Sequence, residues 1–300
     1  MRTVESFTVD GRELSFSNLE KVLYPAAGFT KGGVIDYYAR IADAMLPHLR
    51  DRAMTFKRYP NGVDGMFFFE KNCPKHRPDW VQTAKVWSKH RGAHMDFCLI
   101  NDRATLMWAA NLAVLEFHSQ LALKKNQDCP TVLVFDLDPG EGCTIVDCCE
   151  IALVLQKELQ ASGLESFPKT SGSKGLQLYA PLNTPTTFDA TKTFSLNLAM
   201  KMEAEMPERV LHKMAKALRK GKIFIDWSQN DQHKTTVAVY SLRAKDRPTV
   251  STPVDWKDVK RITKIKRPEE LAFTSDEVLK RVDKFGDLFE PVLKLKQKLR

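Results

Sequence analysis

The chain has 300 residues, of which 43% are hydrophobic and 28% charged. That balance suits one large or two smaller globular domains and excludes a disordered or fibrous chain. No stretch reaches the apolar length of a membrane span, and the first residues, MRTVESFTVDGRELSF, lack a signal peptide's hydrophobic region, so a cytoplasmic protein without a membrane partner is expected. The net charge of +9 points toward a polyanionic partner.

In chain order, Gly33 to Leu49 has helical periodicity, with Ile35, Tyr38, Ile41, Met45 and Leu46 on one stripe. Strand-like pieces follow at Met54 to Tyr59, Met66 to Phe69, Ala84 to Ser88 and Met95 to Ile100. Thr105 to Leu123 reads as a strongly apolar helix, Val132 to Pro139 as a strand, and Asp147 to Gln160 as an amphipathic helix. Ser166 to Thr170 and Leu176 to Pro181 are strand candidates; Lys192 to Glu205 reads as a helix. Ile223 to Asp226 and Thr235 to Tyr240 read as strands, and the chain from Ser275 is helical. Strands and helices mix irregularly, which predicts an α+β or mixed α/β fold whose domain boundaries are seams in a compact body.

The six cysteines, Cys73, Cys98, Cys129, Cys143, Cys148 and Cys149, contain no C-x-x-C pair and are expected to stay reduced in a cytosolic chain. Cys73-Pro-Lys-His76 followed by His90, His94 and Cys98 matches no strong zinc spacing. Basic residues gather at Lys213 to Lys222 and at Lys257 to Arg267. Such clusters neutralise phosphates, although a solvated helix face explains the second equally well.

The run V-L-V-F-D-L-D-P from Val132 to Pro139 carries the chemistry. Side chains alternate faces on a strand, so Asp136 and Asp138 point the same way and repel each other unless a cation sits between them. Hard divalent ions held by carboxylates activate phosphoryl transfer; a strand end with a turn and a helix cap would use the same residues. Downstream, Lys222-Ile-Phe-Ile-Asp226-Trp227 is a second apolar strand with an aspartate at its end. If the two strands are neighbours, three carboxylates converge.

Ser171-Gly-Ser-Lys174-Gly175 lies between two predicted strands and offers backbone N–H groups, a hydroxyl and an ammonium to an anion. It is not a Walker A loop, and a hairpin turn with an exposed lysine is its alternative reading. His118, late in the predicted apolar helix, suits either a core position or a triphosphate contact. Arg243, after a predicted strand, has a planar fork suited to phosphate.

These residues in this order resemble the polymerase module of bacterial ligase D, in the archaeo-eukaryotic primase superfamily of non-homologous end joining. The matching stretches are Lys21-Val-Leu-Tyr-Pro25, Lys57-Arg-Tyr-Pro-Asn-Gly-Val-Asp64, Phe68-Phe-Glu-Lys71 and Val134-Phe-Asp-Leu-Asp-Pro-Gly-Glu141. They continue through Thr170-Ser-Gly-Ser-Lys-Gly175, Phe224-Ile-Asp-Trp-Ser-Gln-Asn230 and Lys234-Thr-Thr236 to Arg243.

The resemblance implies a primase-polymerase fold, with a central antiparallel or mixed sheet flanked by helices, over residues 1–300 as a single compact domain. Within it, a DNA- and 5′-phosphate-binding part covers about residues 1–100, a catalytic sheet about 101–255 and a helical part about 256–300. Asp136, Asp138 and Asp226 are implied as the catalytic triad for a two-metal site holding Mn2+ or Mg2+. His118, Ser171, Lys174 and Arg243 are implied triphosphate contacts, with Lys57, Gln229 and Gln177 around the nucleotide. Gln177 stands where many relatives have histidine, and it cannot carry that residue's charge. Lys21 and Lys31 match a pocket for a 5′-phosphate, Phe68 and Phe69 match rings that stack on a template base, and Arg219 lies in a basic loop that approaches DNA.

The function so implied is a template-directed nucleotidyltransferase, a polymerase or primase that fills gaps and extends ends in DNA repair and favours ribonucleotides. Its partners are gapped or broken DNA bearing a 5′-phosphate, NTPs or dNTPs, and a nucleoid-associated setting. The chain has no K-x-D-G adenylation motif, so it is expected to be a stand-alone or excised polymerase. Joining then falls to a separate ATP-dependent DNA ligase and end-bridging to a Ku-type protein. The other readings of the same residues are a catalytically weak DNA-end-binding module and a metal-dependent nuclease.

Overall fold

Leu133, Phe135 and Leu137 alternate with Val134, Asp136 and Asp138, and the strand they form, Val132–Pro139, runs through the middle of a five-stranded sheet. The computed structural model describes residues 4–88 and 91–299, and the chain divides into two compact units. The unit holding this strand comprises Leu121–Lys234, Ser251–Phe273 and Asp287–Arg300. Its strand order is Phe167–Thr170, Leu176–Pro181, Val132–Pro139, Ile223–Asp226 and Val210–Leu211. The last pair is parallel and the others antiparallel, so the sheet is mixed.

Period-two alternation sends Leu133, Phe135 and Leu137 into one core with Leu176, Leu178, Ile223 and Ile225. The helix Ile145–Ala161 covers that core with Cys148, Cys149, Ile151, Leu155 and Leu159, and a capping box between Thr144 and Asp147 starts it. The helices Phe188–Glu205 and Trp256–Ile265 add Leu198, Met202, Val259 and Ile262. The even-numbered side chains of the central strand, Asp136 and Asp138 among them, therefore lie on the opposite face of the sheet. Where the neighbouring strand ends, the buried Asn230 takes over its role: its Nδ2 donates to the Val134 carbonyl at 2.7 Å and its Oδ1 accepts from the Val134 N–H at 2.9 Å.

The other unit comprises Met1–Gln120, Thr235–Val250 and Thr274–Gly286. Its six-stranded sheet runs Thr236–Val237, Val114–Ser119, Met54–Arg58, Ala93–Cys98 and Thr83–Ser88, with Phe68–Glu70 also pairing with Met54–Arg58. The helix Lys31–Leu49 packs on the helix Arg103–Asn111 and buries Tyr37 and Tyr38 completely. Tyr37 donates to the Tyr240 carbonyl at 2.8 Å; Tyr38 donates to the Leu115 carbonyl at 2.6 Å and accepts from the Leu242 N–H at 3.0 Å. Tyr24 donates to the Arg243 carbonyl at 3.1 Å. Three tyrosine hydroxyls thus fasten the 240–243 turn.

Several expectations need correction. Thr105 to Leu123 is not one helix: the helix Arg103–Asn111 ends at Leu112, Ala113 turns left-handed at φ 59°, and Val114–Ser119 is a strand. Both pieces are buried, so the apolar run hides the change of period. His118 consequently sits on a strand. The expected strand Thr235 to Tyr240 shrinks to Thr236–Val237. A hairpin, Val4–Val9 with Arg12–Ser17, appears where none was expected, and Asp10-Gly11 at φ 48° and 74° forms its two-residue turn. Cys73 and Cys98, both buried, form a disulfide with Cα atoms 4.9 Å apart, so the expectation that all six cysteines are reduced fails. That bond also removes two of the weighed zinc ligands; His90 lies outside the described residues.

Candidate active site

The two aspartate strands are neighbours, and Asp136 pairs directly with Asp226 across them. Direct cross-strand partners share a face, so Asp226 joins Asp136 and Asp138 on the face away from the helix Ile145–Ala161. Asp136 Oδ1 is closed off from solvent and has no hydrogen-bond partner. Burial first, then the charge of Asp138 and that of Asp226, push the Asp136 carboxyl up to about 7, against the lowering effect of a Gln177 hydrogen bond and of Lys169.

The other two acids are engaged. Asp226 Oδ1 accepts from the Ser228 N–H at 3.0 Å and the Ser228 hydroxyl at 2.5 Å, and its Oδ2 accepts from Gln229 Nε2 at 2.8 Å. Lys234 backs this arrangement by donating to Ser228 Oγ. Asp138 Oδ2 lies 3.8 Å from Arg219, whose guanidinium stacks 3.8 Å from the centre of the Phe224 ring. In this arrangement, no group of three or more His, Cys, Asp or Glu among the described residues is placed to hold a metal ion. The donor set still fits one: three carboxylates on one face, one with an orphaned buried oxygen, are hard ligands of the kind Mg2+ and Mn2+ take.

Two glycines bring loops against the aspartate strand. A Cβ on Gly175 would overlap the Leu137 carbonyl oxygen, and one on Gly140 would overlap that of Arg219. The Ser171 hydroxyl, buried, accepts from the N–H groups of Ser173 and Gly175 at 3.2 and 3.1 Å, while Lys174 is exposed. The loop therefore turns some of its amides inward onto Ser171 and presents the lysine outward. Gln177 lies opposite Asp136 on its other side.

In the other unit, Lys57, His118 and Arg243 converge on one buried residue that the sequence reading did not single out. Glu116, 2% exposed, accepts from His118 Nε2 at 2.9 Å and lies 3.3 Å from Arg243 Nε and 3.5 Å from Lys57 Nζ. It also accepts from the Ala244 N–H at 3.1 Å. Burial would raise its pKa, but the His118 hydrogen bond and the charges of Arg243, His118 and Lys57 hold the carboxyl well below the usual range. Burial pulls His118 down, against the pull of Glu116. Lys57 Nζ also lies 4.4 Å from the centre of the Phe67 ring, and Phe69 meets His118 edge-on at 6.1 Å. Glu116 stands two residues before His118, a spacing that puts both on one face only on a strand, so the helical reading of this run hid the pair.

Phe68 and Phe69 are exposed on the short strand Phe68–Glu70, with Arg58 over the Phe68 ring at 5.1 Å. Lys21 and Lys31 are brought close by the pairing of Val22 with Thr30. They differ in access: Lys21 is exposed, donating to Asn61 at 3.1 Å, whereas Lys31 is buried and donates to the Ser17 carbonyl at 2.6 Å.

The family described as LigD, primase-polymerase domain, matches residues 30–289. The chain belongs to this family. It is 43% identical over 278 residues to the multifunctional non-homologous end joining protein LigD of Mycolicibacterium smegmatis. It is 33% identical over 275 residues to the bifunctional non-homologous end joining protein LigD of Bacillus subtilis. These alignments take in 92% and 91% of the chain but only 35% and 43% of those proteins, so the chain spans less than half the length of these relatives. The polymerase domain of Mycobacterium tuberculosis ligase D, solved in complex with DNA, superposes with a TM-score of 0.85 at 38% identity, covering 95% of this chain and 99% of that one. Family membership bears out the α+β primase-polymerase fold and makes the chain a polymerase domain of the nucleotidyltransferase type. Among the described residues no helix is long and apolar enough to cross a membrane.

Proposed function

We propose that the chain is a template-directed, divalent-metal-dependent polymerase that extends primer 3′ ends to fill gaps and lengthen ends in DNA break or gap repair. The observation that carries this reading is Asp136 directly opposite Asp226, with Asp138 two residues further along the same face. Asp136, Asp138 and Asp226 would hold a pair of Mn2+ or Mg2+ ions. Such ions, when bound, supply the positive charge that makes a 3′-hydroxyl more acidic and steadies departing pyrophosphate.

The remaining roles belong to the chain's own residues. Gln229 and Ser228 orient Asp226, and Gln177 orients Asp136. Ser171 shapes the loop that presents Lys174 to phosphate oxygens. Arg243, Lys57 and His118, gathered by Glu116, supply cationic and hydrogen-bonding groups for nucleotide phosphates. Lys21 contacts a 5′-phosphate with Lys31 beneath it, Arg219 approaches the DNA, and the exposed rings of Phe68 and Phe69 stack on a template base, each stack contributing about 1–3 kcal/mol. A preference for ribonucleotides, and cooperation with a DNA ligase and a Ku-type protein, belong to the same reading and rest on the family resemblance.

The test is extension of a labelled primer across a short gap bearing a 5′-phosphate, with Mn2+ or Mg2+ and with NTPs or dNTPs. Template-dependent addition that disappears in Asp138→Ala is the expected result. Tight binding to the same DNA with no addition by the wild-type chain would overturn the polymerase reading in favour of an end-binding module.

A further inference from the structure

Lys169, in the strand Phe167–Thr170, is completely buried. A lysine side chain offers only donors, and donors left unpaired in the interior are costly, so its surroundings must supply acceptors. Its Nζ donates to Gln177 Oε1 at 2.5 Å and to Ser251 Oγ at 2.6 Å, and lies 5.3 Å from the centre of the Tyr179 ring. Ser251 Oγ in turn donates to the Thr170 carbonyl at 2.9 Å.

Strand pairing places these groups in one lateral row. Lys169 is opposite Gln177, Gln177 opposite Asp136, and Asp136 opposite Asp226, across four consecutive strands. The row runs from a buried cation through a neutral amide to two acids. A carboxamide has one accepting end and one donating end. Lysine can only donate, so the Gln177 oxygen must face Lys169, and the Gln177 nitrogen is then directed at the carboxylate of Asp136, which needs a donor. The opposite orientation would set the amide nitrogen against the ammonium and the amide oxygen against the carboxylate. Lys169 therefore decides which way Gln177 points.

We propose that Lys169 is a positioning residue for the acid row, acting through Gln177 to fix the orientation of Asp136. The proposal rests on the reading of Asp136 as a metal ligand, because only then does its orientation matter for catalysis. Groups that orient a metal ligand typically contribute 10–100-fold to activity or affinity. A lysine that merely filled space would be replaceable by methionine, which matches its length and apolar stem.

Two measurements on the whole chain test this. The first uses metal-free protein: the side-chain amide resonance of Gln177, identified by its loss in Gln177→Leu, should move in Lys169→Met and again in Asp136→Asn. An amide signal unmoved in Lys169→Met would overturn the proposal. The second is primer extension: Lys169→Met and Gln177→Leu should each lower kcat about 10–100-fold with KM for nucleotide and primer within about twofold. The double variant should be no worse than the poorer single one, because both remove the same interaction. Losses that multiply would show that Lys169 acts independently of Gln177 and would also overturn it. Should Lys169→Met not fold, Gln177→Glu keeps an acceptor for Lys169 but cannot donate to Asp136 when ionised. It should fold and show the same fall in kcat, and full activity in that variant would count against the proposal. Failure of the polymerase reading looks different: the wild-type chain adds no nucleotides, while the amide of Gln177 still responds to Lys169→Met.

Discussion

Asp136 and Asp226 face each other across the antiparallel strands Val132–Pro139 and Ile223–Asp226. Like charges placed in this way destabilise a sheet, and burial adds to the cost for Asp136. The pairing persists because the odd-numbered residues of the same strands, Leu133, Phe135, Leu137, Ile223 and Ile225, are completely or almost completely buried on the other face. Hydrophobic burial sets the register, and the acids follow from it.

Asp136→Asn tests both sides of that balance. Removing one of the clustered charges should stabilise the metal-free chain by roughly 1 kcal/mol, raising Tm by about 2–4 °C, while template-dependent extension is lost and DNA binding is largely kept. Thermal melts beside a primer-extension assay check it. A lower Tm would mean that Asp136 stabilises the fold instead of straining it.

Glu116→Gln removes the one negative charge among Lys57, His118 and Arg243. Removing the buried counter-charge of the partly buried Lys57 and Arg243 should cost on the order of 3 kcal/mol. The pH dependence follows from the lowered carboxyl of Glu116. Its contribution is fully present above the unfolded glutamate value of about 4.3 and is lost as pH falls from there toward the lower folded value. Melts between neutral and acid pH should show wild type losing stability below that point more steeply than Glu116→Gln.

Lys21 and Lys31 should respond differently to alanine. Lys21→Ala should leave the melting temperature unchanged, weaken binding to a 5′-phosphorylated gap and reduce the salt slope of log Kd by about 1. Lys31→Ala removes a buried contact to Ser17 and should lower Tm as well. Equal affinity of Lys21→Ala and wild type for the phosphorylated gap would remove Lys21 from the phosphate pocket.

Thiol counting tests the disulfide. Denatured without reductant, the chain should take up a thiol label at four cysteines, Cys129, Cys143, Cys148 and Cys149, and after reduction at all six. Cys98→Ser should lower stability by roughly 2–4 kcal/mol. Six labelled thiols before reduction would show that Cys73 and Cys98 are not bonded.

What could be read from the sequence, and what could not, follows from how local each signal is. Asp136 and Asp138 were legible because their relation is a matter of two residues on one strand. Their meeting with Asp226 depends on strand order, which periodicity does not encode. Glu116 is not legible locally, because its meaning lies in Lys57 and Arg243, which are remote in sequence. The helix-to-strand change at Ala113 was invisible because both segments are buried, and uniform burial erases the period that tells them apart. Cys73 and Cys98 lie 25 residues apart, a spacing that says nothing about pairing. The Asp10-Gly11 pair, by contrast, is a local hairpin signal that the sequence does carry.

Asn230 ties the face on which the acids lie to a backbone clasp. A slip of one residue along Val132–Pro139 would turn Asp136 and Asp138 into the oily layer beneath Cys148 and Leu155, and would expose the leucines instead. The amide of Asn230 grips both backbone groups of Val134, and a one-residue slip turns the groups that replace them to the other edge of the strand. A shifted chain would lose this clasp at the moment it buried its acids.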